Sequence, residues 1–245
     1  MATSIPEKKT PRLLSIIIPS YNESETILPL LEKVCRVNLI DDIAKEIVIV
    51  NDGSKDNTEN LIKAFMEEHP DLLITYLSHQ KNQGKGMAIR TGINHITGDY
   101  AIIQDADLEY DPEDYNVILE QLITGEEPVI YGSRFLLKEN RHSSQTFFWG
   151  GRLVTFVTNI LFWQRLTDEP TCYKAFHTHL LKSIPLKCTG FEFCPEVTAK
   201  VSKRGYKIKE VPIRYYPRTI HEGKKIRWTD GLEAIWVLLK YRFVN

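Results

Sequence analysis

Through the first 134 residues, short aliphatic and β-branched runs alternate with longer amphipathic stretches. The runs at 13–18, 46–50, 72–77, 100–104 and 129–131 are bounded by Pro, Gly, Asn or Asp, which is the pattern of strands. Between them, 25–37, 58–69, 85–96 and 112–124 carry helical spacing; in the second, Leu61, Ile62, Phe65 and Met66 line one face. Such alternation predicts an α/β fold whose mostly parallel, Rossmann-like sheet is flanked by helices on both faces. Ligands of these sheets gather beyond the carboxyl ends of the strands, so chemistry is expected just after each strand.

After Arg134 the pattern changes. A polar loop, 135–148, holds Lys138, Arg141 and His142, and leads into 149–165, a helical stretch that is apolar almost all round. Leu153, Phe156, Val157, Ile160 and Leu161 share one face, with Val154, Phe162 and Trp163 off it. A helix apolar beyond one stripe is either buried or lies in a membrane interface. A strand at 173–176, a helix near 195–204, a strand at 206–215 and a basic turn at 217–227 follow. The last helix, 229–243, carries a stripe of Leu232, Ile235, Trp236 and Leu239, with Lys240 and Arg242 at its end, which suits a membrane or partner face or ordinary packing against the sheet. With no internal repeat, the simplest division is a flexible 1–12 and one domain, 13–134 plus a C-terminal elaboration at 135–245.

Composition narrows the function classes. At 245 residues the chain buries a core without staples, and its net charge of −1 offers no global field for nucleic acid. Cys35, Cys172, Cys188 and Cys194 show no CxxC or zinc spacing and read as free thiols of a reducing cytosol. The N-terminus has no apolar signal-peptide core, and no stretch reaches the roughly 18–20 apolar residues of a membrane span. The expectation is a cytoplasmic protein that can touch a membrane but not cross it.

The densest chemistry follows the strand at 100–104: Asp105, Ala106, Asp107 and then Glu109. In extended backbone, residues two apart point the same way, so three carboxylates would share a face and repel unless a cation intervenes. Hard oxygen ligands with open positions suit Mg²⁺ or Mn²⁺ shared with a substrate diphosphate. Asp52, after the second strand, is placed to accept hydrogen bonds from a nucleobase or ribose, and Asp56, Asn57 or Thr58 can cap the next helix. Tyr21 and Glu23, after the first strand, add a ring and a carboxylate. The run 82–86, Asn-Gln-Gly-Lys-Gly, opens a helix, so its N–H groups and Lys85 suit a phosphate. His95, His142 and His221 have no carboxylate or nucleophile pairing that would mark an acid–base role.

Together these segments resemble the family-2 glycosyltransferases of the GT-A fold, through PSYNE at 19–23, VNDGSKDNT at 50–58, NQGKGMAIRTG at 82–92 and DADLEYDPED at 105–114. YGSR at 131–134, Arg152, DEPTCYKAF at 168–176 and PRTIHEGKKIRWTDG at 217–231 narrow the resemblance to dolichyl- or polyprenyl-phosphate mannose or glucose synthases. Many of those carry Gln where Glu109 stands. The resemblance implies that Pro19, Tyr21, Glu23, Asp52, Lys85, Asp105, Ala106 and Asp107 bind a GDP- or UDP-hexose. It also implies Mg²⁺ or Mn²⁺ on Asp107 and Glu109, with Asp105 nearby. Arg134 and Arg152 would grip the acceptor phosphate, and Arg218, with Lys224 and Lys225 on the same loop, would face the donor diphosphate. Catalysis would rest on Asp107, Arg134, Arg152 and Arg218.

Residues 13–134 become the nucleotide-sugar half and 135–245 the acceptor half. A lipid monophosphate is already an anion near neutral pH, so inverting attack needs no general base. The enzyme would sit peripherally on the cytoplasmic face, docked by helix 149–165 and by Lys224, Lys225 and Arg227, with an anchoring subunit or homo-oligomer as possible company. Transfer to a saccharide or protein hydroxyl is the competing enzyme reading and requires a carboxylate base. A non-catalytic nucleotide-sugar-binding subunit is the competing non-enzyme reading, against which the intact acidic motif stands. The Gly-rich, Arg-containing N-terminal loop of nucleotidylyltransferases is missing.

Overall fold

A computed structural model describes residues 12–140, 145–218 and 228–244. Seven strands form one sheet in the order β3-β2-β1-β4-β6-β5-β7. They are β1 (Leu13–Ser20), β2 (Ala44–Asn51), β3 (Ile74–Ser78), β4 (Tyr100–Ile103), β5 (Val129–Ser133), β6 (Lys174–His177) and β7 (Lys209–Pro212). β1 pairs in parallel with β2 on one side and β4 on the other, setting Ile16 opposite both Ile47 and Ile102. Ile16, Ile17, Ile18, Val48, Ile49 and Val50 are fully buried, as a strand covered on both faces requires. The covering helices are α1 (Ile27–Arg36), α2 (Thr58–Glu68), α3 (Lys85–His95) and α4 (Tyr115–Thr124).

The mostly parallel sheet has one reversal. β6 runs antiparallel to both β4 and β5, while β5 pairs in parallel with β7. The chain therefore enters β6 at the edge where β1, β2, β4, β5 and β7 end, so the residues just before β6 reach that edge too. Here chemistry precedes a strand instead of following it.

One expectation is corrected in detail, and one element is added. The strand expected at 206–215 pairs only over Lys209–Pro212, with an isolated bridge from Tyr215 to Tyr110. A six-residue helix, α6 (Thr178–Ser183), too short to show periodicity, follows β6. The remaining helices are α5 (Gln145–Phe162), α7 (Phe193–Lys203) and α8 (Trp228–Phe243). α5 is neither wholly buried nor wholly interfacial. Val154 and Phe162 pack with Ala199 of α7 and with Val237, Leu238 and Tyr241 of α8 in a second small core. Of the face read from sequence, Leu153, Phe156 and Ile160 are exposed, whereas Val157 and Leu161 turn toward that core, and Trp163, read as off that face, points outward. Among the described residues, no helix is long and apolar enough to cross a membrane.

Candidate active site

The loops after β1 and β2 are laced together. The Thr58 hydroxyl accepts from Glu23 N–H at 2.9 Å, Ser54 Oγ from Asn22 N–H at 2.9 Å, and Asn22 Oδ1 from Lys55 N–H at 2.8 Å. Asn57 occupies the N-cap position of α2, yet the capping oxygen comes from Asp56, which accepts from Thr58 N–H and Thr58 Oγ–H and, on its other oxygen, from Ser24 N–H. Burial works against the Asp56 charge, but these hydrogen bonds outweigh it and hold the carboxyl at about 2. Beside these loops opens a cleft of about 580 Å³, lined by Tyr21, Gly53, Ser54, His79, Lys81 and Asn82 among others.

Asp52 does not simply face this cleft. It is 2% exposed; Oδ1 accepts from Gln83 N–H at 2.9 Å and lies 2.7 Å from His79 Nδ1, while Oδ2 accepts from Gly84 N–H at 2.7 Å. Its carboxylate thus clamps the start of the Gly-rich loop. Gly84 has φ +95°, and a Cβ there would sit 2.3 Å from Thr189 O, so only glycine fits between this loop and 189–190. Lys85, the first residue of α3, places Nζ 2.6 Å from Asp105 Oδ1, whose charge outweighs burial and keeps the ammonium protonated.

The acidic segment is a turn, not an extended strand, which corrects the premise for a shared carboxylate face. Leu108 has φ +61°, and Asp107 Oδ1 accepts from Glu109 N–H at 3.1 Å. Asp107 Oδ2 lies 3.1 Å from Arg218 Nη2, and Arg218 Nη1 lies 3.5 Å from Glu23 Oε2. Glu109 accepts from Arg218 N–H at 2.7 Å and from Tyr215 O–H at 3.1 Å. Burial, reinforced by the charges of Asp105 and Glu109 and only partly countered by Arg218, pushes the Asp107 carboxyl up to about 7. The side chain of Ala106 is buried in the main core and takes no part in this face.

Among the described residues, no three of His, Cys, Asp or Glu converge into a ready metal cage. The donor set still fits a divalent cation. Two cations, Lys85 and Arg218, meet Glu23, Asp105 and Asp107, and Glu109 adds a fourth carboxylate. Mg²⁺ and Mn²⁺ are commonly held by one or two carboxylates completed by substrate phosphates, which needs hard oxygens and excess negative charge instead of a closed cage.

Arg134 and Arg152 come together around Phe135. Their guanidinium carbons lie 5.9 and 5.4 Å from that ring, and Arg134 is also 5.1 Å from the Tyr215 ring. Arg134 is not an open fork: Nε and Nη2 each donate at 2.7 Å to the fully buried Asp168. Arg152 is exposed and donates from Nη1 to Thr167 O at 3.1 Å. Asp168, Phe135 and Tyr215 are site residues that sequence reasoning missed. Asp168 lies in the 168–176 segment already singled out, but its role needs the reversed β6. Behind it, Lys174 Nζ donates to Glu169 O at 2.6 Å and sits 3.6 Å from the Tyr131 ring, fully buried. Arg141, His142, His221, Lys224, Lys225 and Arg227 lie outside the described residues, as do residues 1–11.

The chain matches the family Glycosyl transferase family 2 over residues 15–184. It is 30% identical over 219 residues to the UDP-N-acetylglucosamine–dolichyl-phosphate N-acetylglucosaminyltransferase of Methanococcus voltae, covering 83% of this chain and 85% of that one. It is 26% identical over 238 residues to the dolichyl-phosphate beta-glucosyltransferase ALG5A of Trichomonas vaginalis, covering 93% and 72%. Among solved structures, glucosyl-3-phosphoglycerate synthase from Mycobacterium tuberculosis, in complex with Mn²⁺, UDP and glucosyl-3-phosphoglycerate, aligns with a TM-score of 0.70. That alignment covers 96% of this chain and 81% of that one at 20% identity, a likeness of fold. This chain belongs to glycosyl transferase family 2, and its fold is GT-A.

Proposed function

We propose that this glycosyltransferase moves a hexose, with inversion and in the presence of Mg²⁺ or Mn²⁺, from a nucleotide sugar to a polyprenyl or dolichyl phosphate. One observation carries the reading. Tyr215 donates to Glu109 of the acidic turn while its ring lies 5.1 Å from Arg134. A single side chain therefore separates the acids suited to a donor diphosphate from the arginines suited to an acceptor phosphate.

Residues 13–134 hold the donor. The cleft at Tyr21 and Gly53, beside the Asp52-clamped loop, takes the nucleoside. Asp105, Asp107 and Glu109 hold the metal ion, which when bound offsets charge developing on the leaving diphosphate. Lys85 and Arg218 face the same diphosphate, leaving their resting partners Asp105 and Asp107 to do so. Residues 135–245 hold the acceptor, with Arg152 and the remaining N–H groups of Arg134 orienting its phosphate. The phosphate oxygen attacks the anomeric carbon as the bond to the diphosphate breaks on the opposite side. An α-linked donor gives a β-linked product. The names of the Methanococcus relative and of the UDP-bound structure favour a UDP-linked donor over a GDP-linked one. The enzyme works peripherally on the cytoplasmic face of a membrane.

The test is a thermal-shift panel of UDP- and GDP-hexoses with Mn²⁺, followed by transfer to a polyprenyl phosphate with and without chelator. The proposal expects transfer that chelator abolishes and Mg²⁺ or Mn²⁺ restores. Undiminished turnover in chelator removes the metal. Preference for a saccharide or protein hydroxyl removes the lipid acceptor.

A further inference from the structure

All four tryptophans of the chain, Trp149, Trp163, Trp228 and Trp236, are exposed, between 66 and 77%. They belong to two stripes. Trp149, Leu153, Phe156, Ile160 and Trp163 recur three or four residues apart along α5 and its end, and Trp228, Leu232, Trp236, Leu239 and Phe243 do the same along α8. All ten are exposed. Each helix buries its opposite side, Val154, Thr158 and Phe162 on α5 and Val237, Leu238 and Tyr241 on α8, against the other and against α7. The two stripes thus lie on neighbouring helices and turn away from the body of the protein. Lone exposed apolar residues need no explanation, but ten in two aligned stripes do.

We propose that α5 and α8 together form a docking plane whose occupant is a lipid bilayer surface with anionic headgroups. The composition favours lipid: tryptophan concentrates at the membrane–water boundary, where an apolar body and a polar N–H are both satisfied. Trp163 follows the last residue of α5 with φ +57°, a left-handed backbone position that favours glycine over a bulky side chain. The charges complement an anionic leaflet. Arg165, Lys203, Lys207, Lys240 and Arg242 are exposed around the carboxyl ends of the two helices. Lys207 donates to Trp163 O and Lys203 to Val244 O, both at 3.0 Å. α5 contains no acidic residue, and Asp230 and Glu233 lie off the stripe of α8. Resting on the lipid-phosphate reading, the plane also explains delivery. α5 carries both Arg152 and its stripe neighbour Leu153, so a headgroup phosphate at the bilayer surface is one side chain from the acceptor site. This surface includes α8 and all four tryptophans, and so extends the docking helix expected from sequence.

Because the plane holds every tryptophan, emission excited selectively from tryptophan reports on it alone. The experiment adds vesicles of phosphatidylcholine with and without phosphatidylglycerol, some carrying brominated chains, to the full chain and to a Trp163→Ser/Trp236→Ser variant. The expected result is a blue shift and bromolipid quenching on anionic vesicles, weakened by high salt, with binding at least tenfold weaker for the variant. The variant should keep wild-type circular dichroism and nucleotide affinity. Unquenched emission with bromolipid, or equal binding by the variant, overturns the proposal. So does a blue-shifted, concentration-dependent dimer without lipid, which would give the plane to a second copy. Vesicle binding without transfer to polyprenyl phosphate keeps the plane and removes the acceptor reading instead.

Discussion

Arg218 touches three carboxylates: Glu23 and Asp107 through its guanidinium and Glu109 through its backbone N–H. Without metal, Asp107 remains crowded by Asp105 and Glu109. Asp107→Asn should therefore leave the metal-free fold at least as stable, measured by thermal unfolding at pH 8, while transfer falls by two orders of magnitude or more. A large loss of Tm would make the acidic turn structural. The two acceptor arginines should separate. Arg152 is exposed, so Arg152→Ala should raise the acceptor KM about tenfold or more, the loss of roughly 1.5–3 kcal/mol expected for a charge-assisted contact to phosphate, at little cost in stability. Arg134→Ala strands the buried Asp168 and should cost about 3–5 kcal/mol of folding stability as well. Equal Tm values for both variants would contradict the role given to Asp168. At this scale the sequence revealed which residue types cluster, but not their partners. Asp52 turned inward to clamp a loop, and Arg134 turned to Asp168, because those partners arrive from other strands.

The elements of the first half were legible because strands buried on both faces read as continuous apolar runs. β6 was legible as a strand but its direction was not, since a four-residue strand looks alike in either sense. Its reversal sets Glu169 and Lys174 in the interior, with Lys174 Nζ 3.9 Å from Glu169 Oε1, where Lys174→Met should destabilise the fold by about 3–5 kcal/mol, read by denaturant unfolding. A cost below 1 kcal/mol would show that the pair contributes little beyond its volume. The α2 start makes a pH-dependent prediction. Asp56 has a folded pKa of about 2, below its ordinary 3.8, so its contribution is complete above pH 4 and is lost as pH falls through 2. Asp56→Ala should lower stability at neutral pH by about 1 kcal/mol, as loss of a helix cap does, and the difference from wild type should shrink toward pH 2. A gap that stays constant across that range would assign the effect to something other than this carboxylate.

For the whole molecule, one sheet edge gathers the loops after β1, β2 and β4, proposed to hold the donor, and the arginines after β5 and on α5, proposed to hold the acceptor phosphate. The family and the α/β architecture were readable from motifs placed after strands. The two-helix plane was only half readable, because periodicity marks an apolar face without saying which side another helix covers. The central claim is that a lipid phosphate attacks the anomeric carbon directly. Its most direct test is NMR of the product formed from an α-linked UDP-hexose and a short, water-soluble prenyl phosphate with Mg²⁺. The account predicts a hexosyl phosphodiester with β configuration at the anomeric carbon. An α-configured product, or no phosphodiester while sugar passes to a hydroxyl acceptor in the same reaction, would contradict it.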